Sequence, residues 1–141
     1  MKRRTIANPT QQYPKVRDYM TSAPLTTTPT RSLTSAVKTM RSKRVRHLPV
    51  LEGGRVVGIV SQRDILIIES LPGVNPTEVR IEEAMVRDVF TVRPDTPIAE
   101  VLETMIAKKI GSAIVTEGKR AIGVFTTIDA LRALRRLLRR R

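Results

Sequence analysis

The chain has 141 residues, with 26 Lys and Arg against 13 Asp and Glu, one His, no Cys and a formal net charge of +13. Its length suits one domain or two very small ones, and its 40% apolar residues are enough to bury a core. The lack of Cys excludes disulfides, Cys-ligated zinc, iron–sulfur clusters and thiol catalysis, and the lone His47 excludes a multi-His metal site within one chain.

Residues 1–15 form a basic N-terminal segment. A short helix is expected at Val16–Met20, followed by a β-prone run, Leu25-Thr26-Thr27-Thr28, that Pro29 ends. Leu33, Ala36, Val37 and Met40 recur at helical spacing, with Ser32 as cap. His47-Leu48-Pro49-Val50-Leu51 and Arg55–Val60 flank the turn Glu52-Gly53-Gly54 and predict a hairpin. A helix capped by Ser61 closes a first unit at residue 70. The segment 71–80 is a linker, opened by Leu71-Pro72-Gly73-Val74-Asn75-Pro76.

The same order returns over 81–135. A short helix is expected at Ile81–Met85 and a β-prone run at Val89-Phe90-Thr91-Val92, ended by Pro94. A helix follows from the cap Thr96 through Ile98, Val101, Leu102 and Met105. A second hairpin turns at Glu117-Gly118, and a last helix starts at Thr126. Sliding the chain on itself by 65 residues puts Met20 on Met85, Met40 on Met105, Gly58 on Gly123 and Asp64 on Asp129. The chain therefore reads as two copies of one β-α-β-β-α unit, an α+β fold, followed by an Arg-rich tail at 136–141.

At the junction of hairpin and closing helix, Ser61 and Asp64 stand three residues apart, as do Thr126 and Asp129. This spacing makes a capping box. It also suits a nucleotide: a helix N-terminus favours phosphate, a hydroxyl donates to it, and a carboxylate accepts from two ribose hydroxyls. Gly58 and Gly123 are expected to admit close backbone approach.

The motifs Val16-Arg17-Asp18-Tyr19-Met20-Thr21, His47-Leu48-Pro49-Val50 and Gly58-Ile59-Val60-Ser61-Gln62-Arg63-Asp64 resemble the CBS domain. Their second copies are Ile81-Glu82-Glu83-Ala84-Met85, Ala113-Ile114-Val115 and Gly123-Val124-Phe125-Thr126-Thr127-Ile128-Asp129, with Ile114 in place of the strand proline. Two in tandem resemble a CBS pair, or Bateman module, over residues 16–135. The resemblance implies two repeats packed about a pseudo-twofold axis, a homodimer of pairs, and a stand-alone sensor of an adenosine ligand that regulates another protein. AMP is the expected ligand, with ADP or ATP as close relatives and S-adenosylmethionine as the alternative; no metal is implied.

The resemblance also implies that each cleft is shared between repeats. The first would combine Thr126 and Asp129 with Thr27, Thr28, Val45, Arg46 and His47. The second would combine Ser61 and Asp64 with Thr91, Val92, Ile110, Gly111 and Ser112. Arg46 adds a guanidinium to the first cleft, which is therefore expected to bind an anionic ligand first.

The basic excess lies at the ends: Lys2, Arg3 and Arg4, then Arg132, Arg135, Arg136, Arg139, Arg140 and Arg141. Leu131, Leu134, Leu137 and Leu138 alternate with these arginines at helical spacing, which predicts a basic amphipathic helix. Its leucines are expected to cover the core or a dimer seam. Its arginines could contact a polyanion non-specifically, and nucleic-acid binding is the competing function class. Catalysis is not expected, because Ser61 and Thr126 have no activating base in the sequence other than His47. No apolar run reaches the roughly 18 residues of a membrane span and no signal peptide is read, so the expected compartment is cytoplasmic.

Overall fold

Among residues 13–140, which the computed structural model describes, both expected hairpins form at the same offset. Lys2, Arg3, Arg4 and Arg141 lie outside the described residues. Strand β2 (His47–Glu52) pairs antiparallel with β3 (Arg55–Ser61), and β5 (Ser112–Glu117) with β6 (Arg120–Thr126). Each hairpin shifts register at equivalent points, between Val50 and Leu51 and between Val115 and Thr116. Gly53 and Gly54 hold φ of 57° and 79° in the first turn, a region that costs glycine nothing.

Four helices surround the hairpins: α1 (Leu33–Lys43), α2 (Gln62–Glu69), α3 (Ile98–Lys108) and α4 (Thr127–Arg139). The Ser32 hydroxyl accepts the Ser35 N–H at 3.2 Å, as its cap role requires. Thr96 does not cap α3. Its hydroxyl accepts the Arg93 N–H at 3.1 Å and closes a turn, and Pro97 occupies the cap position with a φ of −59°.

The β-prone runs are shorter than expected. Only Thr91–Val92 forms a strand, β4, parallel to β5. In the first repeat Ala23 turns at φ 49° just upstream, and Thr27 alone reaches β2. Its N–H donates to the Pro49 carbonyl at 3.0 Å and its carbonyl accepts from Leu51 at 2.9 Å.

The leading segments differ more. Val16–Asp18 and Ile81–Glu83 are single 3-10 turns, not helices through Met20 and Met85. The Asp18 carboxylate accepts the Lys15 N–H at 2.9 Å and that of Glu83 accepts the Arg80 N–H at 2.8 Å, so each turn closes on itself. The chain then extends. Thr21–Ser22 forms β1, which the sequence reading missed, and pairs antiparallel with β6 of the other repeat. Val86 does the same with Ile59 of β3, through reciprocal hydrogen bonds of 3.0 and 2.9 Å.

The leading turns are thus exchanged between repeats. Val16 lies in a core with Val92, Ile98, Val101, Met105, Ala113, Val115, Phe125 and Ala133. Ile81 lies in the other core, with Leu33, Ala36, Met40, Leu48, Val50, Val60 and Ile65. Both side chains are fully buried, worth roughly 1.5–3 kcal/mol each. The exchange explains the strand glycines. A Cβ on Gly58 would lie 2.7 Å from the Met85 sulfur and 2.9 Å from the Val86 carbonyl, and one on Gly123 2.5 Å from the Met20 sulfur. The close approach that these glycines permit is made by the opposite repeat's leading segment. The whole is a mixed α and β fold of two β-α-β-β-α repeats with pseudo-twofold symmetry.

Candidate functional site

Both closing helices begin where a hairpin strand ends, and there the paired hydroxyl and carboxylate meet. In the first repeat the Ser61 hydroxyl accepts the Asp64 N–H at 3.1 Å and donates to Asp64 Oδ2 at 2.8 Å, and the Ser61 N–H donates to the same oxygen at 3.2 Å. In the second, the Thr126 N–H and hydroxyl donate to Asp129 Oδ2 at 2.9 and 3.2 Å. Each carboxylate therefore spends one oxygen on its cap.

The second oxygens differ. Asp129 is 2% exposed, and its Oδ1 accepts from the Arg132 guanidinium at 3.4 Å. Asp64 is half-buried, and no hydrogen bond among the described residues engages its Oδ1. The Asp–Arg contact went unread in the sequence, although its i, i+3 spacing is a signal for one.

Each segment expected to complete a cleft with the opposite repeat lies beside the helix start of its own repeat. The Arg46 carbonyl accepts the Gln62 N–H at 2.8 Å, and His47 pairs with Ser61 in the β2–β3 ladder. The Gly111 carbonyl accepts the Thr127 N–H at 3.2 Å, and Ser112 pairs with Thr126. These contacts fall within one repeat. Among the described residues, no hydrogen bond joins Arg46 or His47 to Thr126 or Asp129. The repeats meet where β3 packs against β6.

Arg46 is exposed and has no acidic partner among the described residues. His47 is half-buried. Burial holds its imidazole below the ordinary value; nearby Asp64 opposes that shift and Arg46 adds to it. Thr27 and Val92 are buried at equivalent positions, flanked by exposed Thr28 and Thr91, and Val45 and Ile110 are both half-buried, each following a left-handed helix cap, Arg44 and Lys109. Tyr19 is half-buried against the core that holds Val16. Chemically, each helix start offers a carboxylate that can accept vicinal hydroxyls and a hydroxyl that can turn toward an oxyanion.

Comparison with known proteins bears on this arrangement. The family model described as the CBS domain matches residues 16–70 and 81–136. The uncharacterized protein MJ1225 of Methanocaldococcus jannaschii is 32% identical over 128 residues, 83% of this chain and 46% of that protein. Among solved structures, the CBS domain pair of protein MJ0100, crystallised with 5-methylthioadenosine and S-adenosyl-L-methionine, is similar at a TM-score of 0.80 and 27% identity, covering 87% of this chain and 97% of that one. An uncharacterized conserved protein from Pyrococcus horikoshii is similar at a TM-score of 0.77 and 30% identity, covering 89% and 95%. The chain spans less than half the length of the first curated relatives it matches.

Proposed function

We infer, from the premise that this chain belongs to the CBS-domain family, that it binds an adenosine ligand in clefts between its two repeats and passes the bound state to another protein. The observation that carries this reading is the recurrence of one hydroxyl–carboxylate helix start, Ser61 with Asp64 and Thr126 with Asp129, at both hairpin ends. A ribose needs such a carboxylate, and a phosphate needs the helix start and its hydroxyl. AMP is the ligand we favour. The MJ0100 pair, with its two adenosine-containing ligands, supports the adenosine class, and it makes S-adenosylmethionine the second reading.

In our assignment, Thr126 and Asp129 share a cleft with Thr27, Thr28, Val45, Arg46 and His47. Ser61 and Asp64 share the other with Thr91, Val92, Ile110, Gly111 and Ser112. Arg46 gives the first a mobile guanidinium for phosphate. That cleft must also displace Arg132 from Asp129 Oδ1 before a ribose can use it. The module performs no chemistry of its own: Ser61 and Thr126 donate to cap carboxylates, which orients them as caps and not as activated nucleophiles.

Exposed Leu66 and Ile67 on α2, with Leu131, Leu134 and Leu138 on α4, support a homodimer through these helices. Light scattering at micromolar concentration should give twice the chain mass; a monomer would remove this part of the reading.

Calorimetric titration with AMP and with S-adenosylmethionine tests the function. Binding of AMP should weaken by about 1.5–3 kcal/mol in Asp129→Ala, the range for a charged hydrogen bond. A double-mutant cycle should couple Arg46→Ala to Asp129→Ala and not to Asp64→Ala. The absence of heat and of thermal shift with every adenosine ligand would overturn the reading.

A further inference from the structure

Helix α4 carries a second feature, which has only Arg132 in common with the first cleft. Arg132, Arg135, Arg136, Arg139 and Arg140 recur at spacings of three and four residues, so they share one arc of the helix. Of the five, only Arg132 has an acidic partner among the described residues. Like charges three and four apart repel and weaken a helix. The negative helix C-terminus offsets this for the last turn only. Four uncompensated guanidiniums held together call for an anion.

The arc is also concave. Tyr19, from the exchanged leading segment, closes one side, with the Arg136 guanidinium 5.8 Å from its ring centroid. Tyr19 and the five arginines line a groove of about 410 Å³ that is open to solvent on one side. From Arg132 to Arg140 the helix rises only about 12 Å. The leucines face elsewhere on the helix: Ala133 and Asp129 turn into the protein, and Leu131, Leu134 and Leu138 project on the side away from Tyr19.

We propose that the arginine arc of α4 and Tyr19 form an anion site for a compact polyphosphate, touching the first inter-repeat cleft only through Arg132. Guanidinium forks bind phosphate oxygens in pairs, and stacking on Tyr19 fixes one fork in place. The concavity and the short rise favour a ligand with two or three adjacent phosphates over an extended nucleic-acid backbone.

Inorganic tripolyphosphate is the probe. Calorimetry on the full chain should show one site per chain, at least tenfold tighter than orthophosphate. The double variant R136Q/R139Q should lose at least tenfold in affinity and keep AMP binding, with a thermal melt to confirm its fold. If it does not fold, R136K/R139K keeps the charge and removes the forks, and it should still lose several-fold. Tripolyphosphate giving no heat, or binding both variants as it binds the parent chain, overturns the proposal. So does a single-stranded oligonucleotide that displaces the probe with an affinity growing with its length, because the arc is then a nucleic-acid track. Failure of AMP binding with tripolyphosphate binding intact would instead sink the cleft reading and leave this site standing.

Discussion

Asp64 and Asp129 occupy equivalent positions, yet the second is sealed by burial and held by Arg132, whereas the first keeps one oxygen unengaged. Loss of the Asp64 carboxylate removes a cap, worth about 1 kcal/mol. Asp129 is itself buried and loses its Arg132 contact as well as its cap role, so Asp129→Ala should cost about 2–3 kcal/mol, measured by urea unfolding. Equal costs at the two sites would mean that the Arg132 contact and the burial contribute nothing. His47 makes a pH prediction. Its folded value is lowered, so the unfolded chain takes the proton more readily. The stability it supports is complete above its unfolded value of about 6.5 and is lost as the pH falls through the folded value. The unfolding midpoint should drop between pH 7.5 and 5.5, and His47→Gln should shrink that drop. A variant with an unchanged pH profile would rule His47 out as the source.

At the scale of the element, the strand glycines carry the most pointed expectation. Gly58→Ala would drive a methyl into the Val86 carbonyl, which cannot move without breaking the Ile59 bridge. It should cost about 1–3 kcal/mol, as overpacking does, when measured by thermal melting. A neutral result would show that the bridge yields easily. These glycines also mark the limit of what the sequence disclosed. Hairpins, helices and the repeat were legible, because turn glycines and apolar periodicity are local signals. The hydroxyl–carboxylate pairs were legible for the same reason. Strand β1 was not, because Thr21–Ser22 is too short to show alternation and its partner lies a hundred residues away. Gly58 and Gly123 stand out in the sequence, but what approaches them belongs to the other repeat. Thr96 has the residue type of a cap, but Pro97 takes the position and the Thr96 hydroxyl accepts from the Arg93 N–H instead.

For the whole molecule, the exchange of leading turns means that neither repeat in sequence is the unit that packs. Ile81→Ala should cost about 2–5 kcal/mol. Hydrogen exchange should show the loss first in α1 and β2, which share its core, rather than in α3 and β5 beside it in the chain. Val16→Ala should give the reverse pattern. Protection lost in the residue's own repeat would contradict the exchange. The exchange also gives the two halves different histories as the chain leaves the ribosome. The first half cannot complete its core when residue 70 emerges; it waits for Ile81 and the Val86 bridge. The second half already has Val16 in hand, made long before, but needs Ala133 to close. Val16–Ser22 therefore emerges with no partner, and until Gly123 and Val124 follow, the nascent chain presents an edge that belongs to strands not yet made.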